Sequence, residues 1–216
     1  IVTNAYWATT YEDAMLWLEP LKGKVGYFSM SADEYHGGET ANELVENGRN
    51  AAKALGLPMG VISIASQEDQ KAASISGKLP EGESKVMFRG RAAENLSTGL
   101  DTHEYTSFTT CPHEQLDDPG RIHIDAHGYL HVCQGITIGN ILETPLAEIW
   151  ENYKPNEHPI TSALLDGGPA KLFAEHRLEP NHKYADACHL CYETRKALRN
   201  QYPEILTPVE MYEEIF

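Results

Sequence analysis

Arg121-Ile122-His123-Ile124-Asp125-Ala126-His127-Gly128-Tyr129-Leu130-His131-Val132-Cys133 reads as two short strands around a tight connection. The flanks are rich in β-branched and aromatic side chains, which suit a pleated, half-buried surface. Asp125-Ala126-His127-Gly128 ends on glycine, where positive φ is easiest, and that is a β-hairpin signal. The second strand of the hairpin carries Cys133 to its end.

Working outward, the chain has four cysteines, spaced C-x21-C-x54-C-x2-C as Cys111, Cys133, Cys188 and Cys191. They come from three separate segments, and four thiolates are what a tetrahedral zinc ion or a cubane iron–sulfur cluster needs. Two disulfides would suit a small secreted domain, which this chain is not. A dithiol redox pair at Cys188 and Cys191 is the other reading, although that motif usually opens a helix near the start of a βαβ domain. Structural zinc sites more often use two Cys-x-x-Cys hairpins. Here there is one, which tilts the choice towards a cluster. His113, His123, His127, His131 and His189 lie near the cysteines in sequence. Four thiolates complete a coordination sphere, so these histidines read as surrounding groups, with His131 expected to approach the centre because it shares a strand face with Cys133. Asp186 and Glu193, flanking the closing motif, read as solvated.

The rest of the second half is mostly helical. Thr144-Pro145 suits the cap and first position of a helix whose apolar face is Leu146, Ile149, Trp150 and Tyr153. Residues 155–180 read as irregular with short helical pieces and a break at Gly167-Gly168-Pro169, and residues 188–199 as a final helix. The first half alternates strand and helix. Residues 1–7 read as a strand. Thr10-Tyr11-Glu12-Asp13 resembles a capping box, and Ala14, Trp17, Leu18 and Leu21 follow at helical spacing. Residues 24–30 read as a strand, and Thr40-Ala41-Asn42-Glu43 opens a second helix that Gly56 and Pro58 stop. Residues 59–65, nearly all apolar, suit a parallel strand covered on both faces, with 85–88 as a fourth strand. Short joins between these elements imply parallel βαβ units, hence an α/β fold. Trp17 and Trp150, both on apolar stripes, are expected in the core. The character changes near Thr109, giving expected domains of 1–108 and 109–216.

Composition excludes some classes. The 216 residues carry 17 Lys and Arg against 32 Asp and Glu, a net charge of −15, with no basic cluster to neutralise phosphates, so nucleic acid is not an expected partner. No run approaches the ~20 apolar residues of a spanning helix, so no membrane segment is expected, and with no secretory leader the expected location is cytoplasmic.

Gly128-x4-Cys133, the following Gly139-Asn140-Ile141 and Pro145-Leu146-Ala147-Glu148-Ile149-Trp150, and the closing Cys188-x2-Cys191 together resemble radical S-adenosylmethionine (radical SAM) enzymes with a C-terminal twitch or SPASM extension. In the first half Thr3-Asn4-Ala5, Ser29-Met30-Ser31-Ala32-Asp33 with His36, and Gly90-Arg91-Ala92 resemble the strand ends of that family's barrel in the right order. No cysteine follows Cys191, so the extension looks like the shorter twitch form. The resemblance implies a partial (β/α)6, TIM-barrel-like parallel barrel followed by a small α+β subdomain with a hairpin and helices. It further implies one auxiliary 4Fe–4S cluster held by all four cysteines. In the intact protein it implies SAM, a second 4Fe–4S cluster, an electron donor such as a ferredoxin or flavodoxin, and a small-molecule or peptide substrate that a 5′-deoxyadenosyl radical would oxidise or modify. That chemistry needs a C-x3-C-x2-C motif and a Gly-Gly-Glu, neither of which is in this sequence. Ile1-Val2-Thr3-Asn4 reads as a strand in mid-fold, so the chain is expected to be the later part of a longer enzyme, unable to cleave SAM alone and with an open strand edge at residues 1–7.

Ser31 and Asp33 sit at a predicted strand end, where open α/β folds place ligands. By the resemblance, Ser31 faces the SAM ribose; the alternative is a polar strand end capping a turn. Ser63, within an apolar run, is either a cofactor contact or a buried hydroxyl. Arg91 can hold a carboxylate with its planar fork, or form a surface ion pair. No catalytic residue is assigned. The rival from another class is a non-catalytic protein with a structural four-thiolate zinc site.

Overall fold

Short runs of β-branched and apolar residues between helix caps make the chain a mixed α/β protein, seen in a computed structural model that describes residues 1–32, 38–66, 68, 69, 83–180 and 182–212. It divides into two units, residues 1–86 and 87–216.

In the first unit β1 (Val2–Thr3), β2 (Phe28–Ser31) and β3 (Met59–Ile64) form a parallel sheet, with the short β4 (Glu83–Ser84) added in parallel on β3. Helices α1 (Tyr11–Leu18) and α2 (Gly38–Leu55) connect the first three strands. Thr10 caps α1 by accepting from the Asp13 N–H at 3.1 Å. The α2 terminus is a Schellman turn: Gly56, at φ 68°, donates to Lys53 and Leu57 donates to Ala52. The helix starts two residues before the predicted Thr40. Phe28 and Met30 face the helices and join Ala14, Leu18, Val45 and Ala52 in the core. Gly48 is where α2 crosses Met30, because a Cβ there would lie 2.6 Å from the Met30 sulfur.

The predicted fourth strand at 85–88 is displaced. The β3 ladder ends with Ala65 donating to Ser84; among the described residues Lys85 onward pairs with no strand, and the Phe88 N–H turns to Asp186 instead. Among the described residues the parallel strands form an open sheet, not a closed barrel. Trp17 is 54% exposed, against expectation. The buried stripe of α1 is Ala14 and Leu18, and Trp17 lies at its edge against Trp7, ring centroids 6.1 Å apart.

The second unit has α3 (Arg91–Leu96), an antiparallel sheet of β5 (His123–Ile124), β6 (Tyr129–Cys133) and β7 (Ile136–Asn140), and then α4 (Leu146–Asn152), α5 (Thr161–Glu175) and α6 (Ala187–Leu198). The hairpin turn is held by Asp125, whose Oδ1 accepts from the His127 and Tyr129 N–H groups, with Gly128 at φ 84°. Strand β7 is a feature the sequence reading did not include; its signal is Ile136-Thr137-Ile138 directly after Gly135. The α4 cap is Pro145, with no side-chain bond, one residue later than predicted. Trp150 is 38% exposed because the helix seats Ile149 instead, against Gly139, whose lack of a side chain leaves the room. The break in α5 falls at Gly167 and Gly168, as the Gly-Gly-Pro run predicts.

Candidate metal centre

Each cysteine reaches the same place by a different device. Cys111 follows a loop pinned from the side: the Ala170 N–H donates to the Phe108 carbonyl at 3.0 Å. Gly168 touches the same loop, and a Cβ on it would lie 2.4 Å from the Thr109 carbonyl carbon and the Thr110 nitrogen. Pro112 then turns the chain, and the backbone N–H groups of His113 and Glu114 point back at the Cys111 sulfur. Cys133 ends β6, after register shifts on both sides of His131. Cys188 and Cys191 lie in the first turns of α6, whose cap is Asp186, accepting from the His189 N–H at 2.7 Å. Asp186 is therefore a structural cap rather than a solvated charge.

All four sulfurs line one narrow cavity, together with Arg89, Glu114, Arg195 and apolar residues that include Leu116 and Leu164. The four are free thiols. Among the described residues, no three of His, Cys, Asp or Glu gather closely enough to share one metal ion.

The electrostatics are those of a dry pocket with built-in cations. Burial pushes the Cys111 thiol up, opposed by the two backbone N–H groups, and pushes Cys188 up further with help from Asp186. Burial raises Cys191 to about 11. Arg195 is 2% exposed and donates to the Gln134 carbonyl at 2.7 Å, the Tyr212 hydroxyl at 3.0 Å and the Cys191 carbonyl at 3.3 Å. Burial disfavours its charge, but Tyr212 and the thiols more than offset that and hold it protonated. The Arg89 Nη1 lies 3.5 Å from the Cys133 sulfur and 3.4 Å from Glu114 Oε1.

Neither arginine stood out in the sequence. Arg195 carries a weak signal, four residues after Cys191 on one helix face. Arg89 has none; the nearby Gly90-Arg91 drew attention to Arg91 instead. Arg91 is exposed at the start of α3 in the second unit, where its carbonyl accepts from Asn95. Ser31 is buried at the end of β2, opposite Ile62 of β3. Ser63, one residue beyond Ile62, is half-buried and on the opposite face of the sheet, so the two serines do not converge. Asp33, like His36, falls outside the described residues.

His131 is not among the residues lining the cysteine cavity. Its Nε2 meets Asp125 Oδ2 at 3.1 Å and its Nδ1 meets Thr137 Oγ1 at 3.0 Å, so both ring nitrogens are engaged inside the hairpin sheet. The irregularity between His131 and Cys133 breaks the two-residue alternation on which the expectation rested.

A search of curated proteins found no match to the chain. Residues 119–192 match the family model of SPASM, an iron–sulfur cluster-binding domain. The match includes Cys133, Cys188 and Cys191, while Cys111 precedes it and is brought to the site by the fold. Residues 119–192, about a third of the chain, are thus similar to the SPASM iron–sulfur cluster-binding domain.

Proposed function

We propose that Cys111, Cys133, Cys188 and Cys191 hold one auxiliary 4Fe–4S cluster, and that the chain is the cluster-bearing part of a radical SAM oxidoreductase or maturase. The observation that carries this is the convergence of four thiols from three segments on one cavity, three of them inside the matched SPASM residues. The donor set fits the group: four sulfurs, backbone N–H groups aimed at one of them and two guanidiniums against the pocket.

A bound cluster supplies one-electron transfer. With all four cysteines engaged it has no open iron for a substrate, so accepting an electron from an oxidised substrate is its natural role here. The parallel sheet of residues 1–86, with Ser31 at the end of β2, would be part of the barrel that holds SAM and substrate. In that reading a second cluster, bound by a C-x3-C-x2-C motif outside these residues, begins the chemistry. A thiol-disulfide role is disfavoured because burial raises Cys188 and Cys191, whereas exchange needs a readily formed thiolate. A metal removes that obstacle by deprotonating its thiol ligands outright.

The test is anaerobic reconstitution with iron and sulfide. We expect a broad absorbance near roughly 400 nm and about four irons per chain, lost when Cys111 or Cys191 is replaced by alanine. Stoichiometric zinc with no iron, in a colourless protein stable in air, would overturn the proposal.

A further inference from the structure

Two guanidiniums line the cysteine cavity, and they are held differently. Among the described residues Arg195 has no carboxylate within ion-pair distance; it donates to two carbonyls and the Tyr212 hydroxyl, and its guanidinium also hydrogen-bonds the Cys191 thiol. Arg89 is 13% exposed and sits between a sulfur and an acid: Nη1 is 3.5 Å from Cys133 Sγ and 3.4 Å from Glu114 Oε1. Glu114 is itself 7% exposed, and its other oxygen lies 3.5 Å from Arg121, which is largely in solvent. Arg89 therefore touches a cluster ligand while Glu114, close behind it, carries the opposite charge into the same buried region.

Resting on the cluster reading above, we infer that Arg89 and Glu114 are an opposed pair that sets the reduction potential of the centre. The electron count is simple. One electron, supplied in the experiment by dithionite, enters the oxidised cluster and leaves it more negative by one charge. A cation donating to a ligand sulfur stabilises the more negative state, and a buried carboxylate destabilises it. Both effects are large because the pocket is screened from water. Arg89 raises the potential and Glu114 lowers it. Arg195, with no acid opposing it among the described residues, adds positive charge at Cys191 that is common to all the variants compared.

The opposed signs separate this tuning role from a purely structural one. If the Arg89–Glu114 contact only braced the loop, removing either partner would loosen the site in the same direction. Redox titrations followed by absorbance and electron paramagnetic resonance, on reconstituted protein with iron quantified, make the comparison. Arg89→Gln should lower the midpoint and Glu114→Gln should raise it, each by at least a tenfold change in the one-electron equilibrium, about 59 mV. Arg89→Lys, which keeps the charge but loses the planar fork, should fall between wild type and Arg89→Gln. If Arg89→Gln does not hold its iron, Arg89→Lys and Glu114→Gln carry the test with the same opposed signs. Shifts in one direction for both positions, or no shift in variants that keep four irons, would overturn the inference and leave the cluster reading standing. Wild-type protein that takes up no iron would overturn both.

Discussion

His158 stands just ahead of α5 and does a cap's work with its ring. Its Nδ1 accepts from the Ile160 N–H at 3.3 Å and the Thr161 N–H at 3.2 Å, two of the donors a helix start leaves without partners. Only the neutral imidazole can accept there. Burial lowers the pKa of His158 below its ordinary 6.5, with the Thr137 backbone opposing. The unfolded chain therefore binds the proton more readily than the folded one. The stability this residue contributes is complete above the unfolded pKa and is lost as pH falls below it towards the folded value. Melting curves between about pH 7.5 and 5.5 should show a larger loss for wild type than for His158→Asn, whose side chain can still cap and does not titrate. An equal loss in the two proteins would remove His158 from the pH response. Nothing in the sequence flagged this residue, because its role depends on where a ring folds back and not on a spacing.

Among the elements, the break in α5 bears most directly on the cysteines. Gly168 adopts φ 66° and ψ −164°, a region open almost only to glycine, and its missing side chain lets the Phe108–Thr110 backbone pass. Gly168→Ala should cost at least about 2 kcal/mol, combining the backbone penalty with a clash against atoms that cannot rotate away. Because the displaced strand of chain leads into Cys111, iron uptake should fall together with the melting temperature. Gly167→Ala is the comparison: its Cβ would lie 2.8 Å from the Lys171 Cβ, so it should also lower the melting temperature, but its nearest neighbours all belong to Lys171 and not to the loop before Cys111, so iron uptake should fall less than in Gly168→Ala. Here the sequence was partly legible. Gly167-Gly168-Pro169 announces a break, as Gly128 announces the hairpin and Gly56 a helix end, since each marks a local backbone requirement. What the break clamps is a contact across some 58 residues, from Gly168 back to Thr110, and no local pattern carries it. The same holds for Trp17 and Trp150: helical spacing located the apolar stripe, but which edge of it is covered depends on the neighbour. Strand 85–88 failed for a related reason, since a strand needs a partner as well as a suitable composition.

At the scale of the molecule, the charge of −15 is spread over both halves of a chain with no basic cluster, and among the described residues no helix is long and apolar enough to cross a membrane. The more informative fact is how the site partitions. Every residue lining the cysteine cavity, from Arg89 to Arg195, falls within residues 87–216. So do the devices that aim the sulfurs: the Gly168 clamp on the loop before Cys111, the Asp125 hairpin before Cys133, the Asp186 cap before Cys188 and the paired backbone bonds of His103 with Tyr184. This unit has an apolar core of its own around Phe173, Tyr184 and Leu190, and at its length a chain buries enough surface to fold without help. Residues 87–216 expressed alone should therefore take up iron and sulfide anaerobically with the same absorbance and iron content as the full 216 residues. Residues 1–86, which contain no cysteine, should take up none. Failure of the 87–216 fragment to load, in a sample that circular dichroism shows to be folded, would mean that the site depends on the first unit.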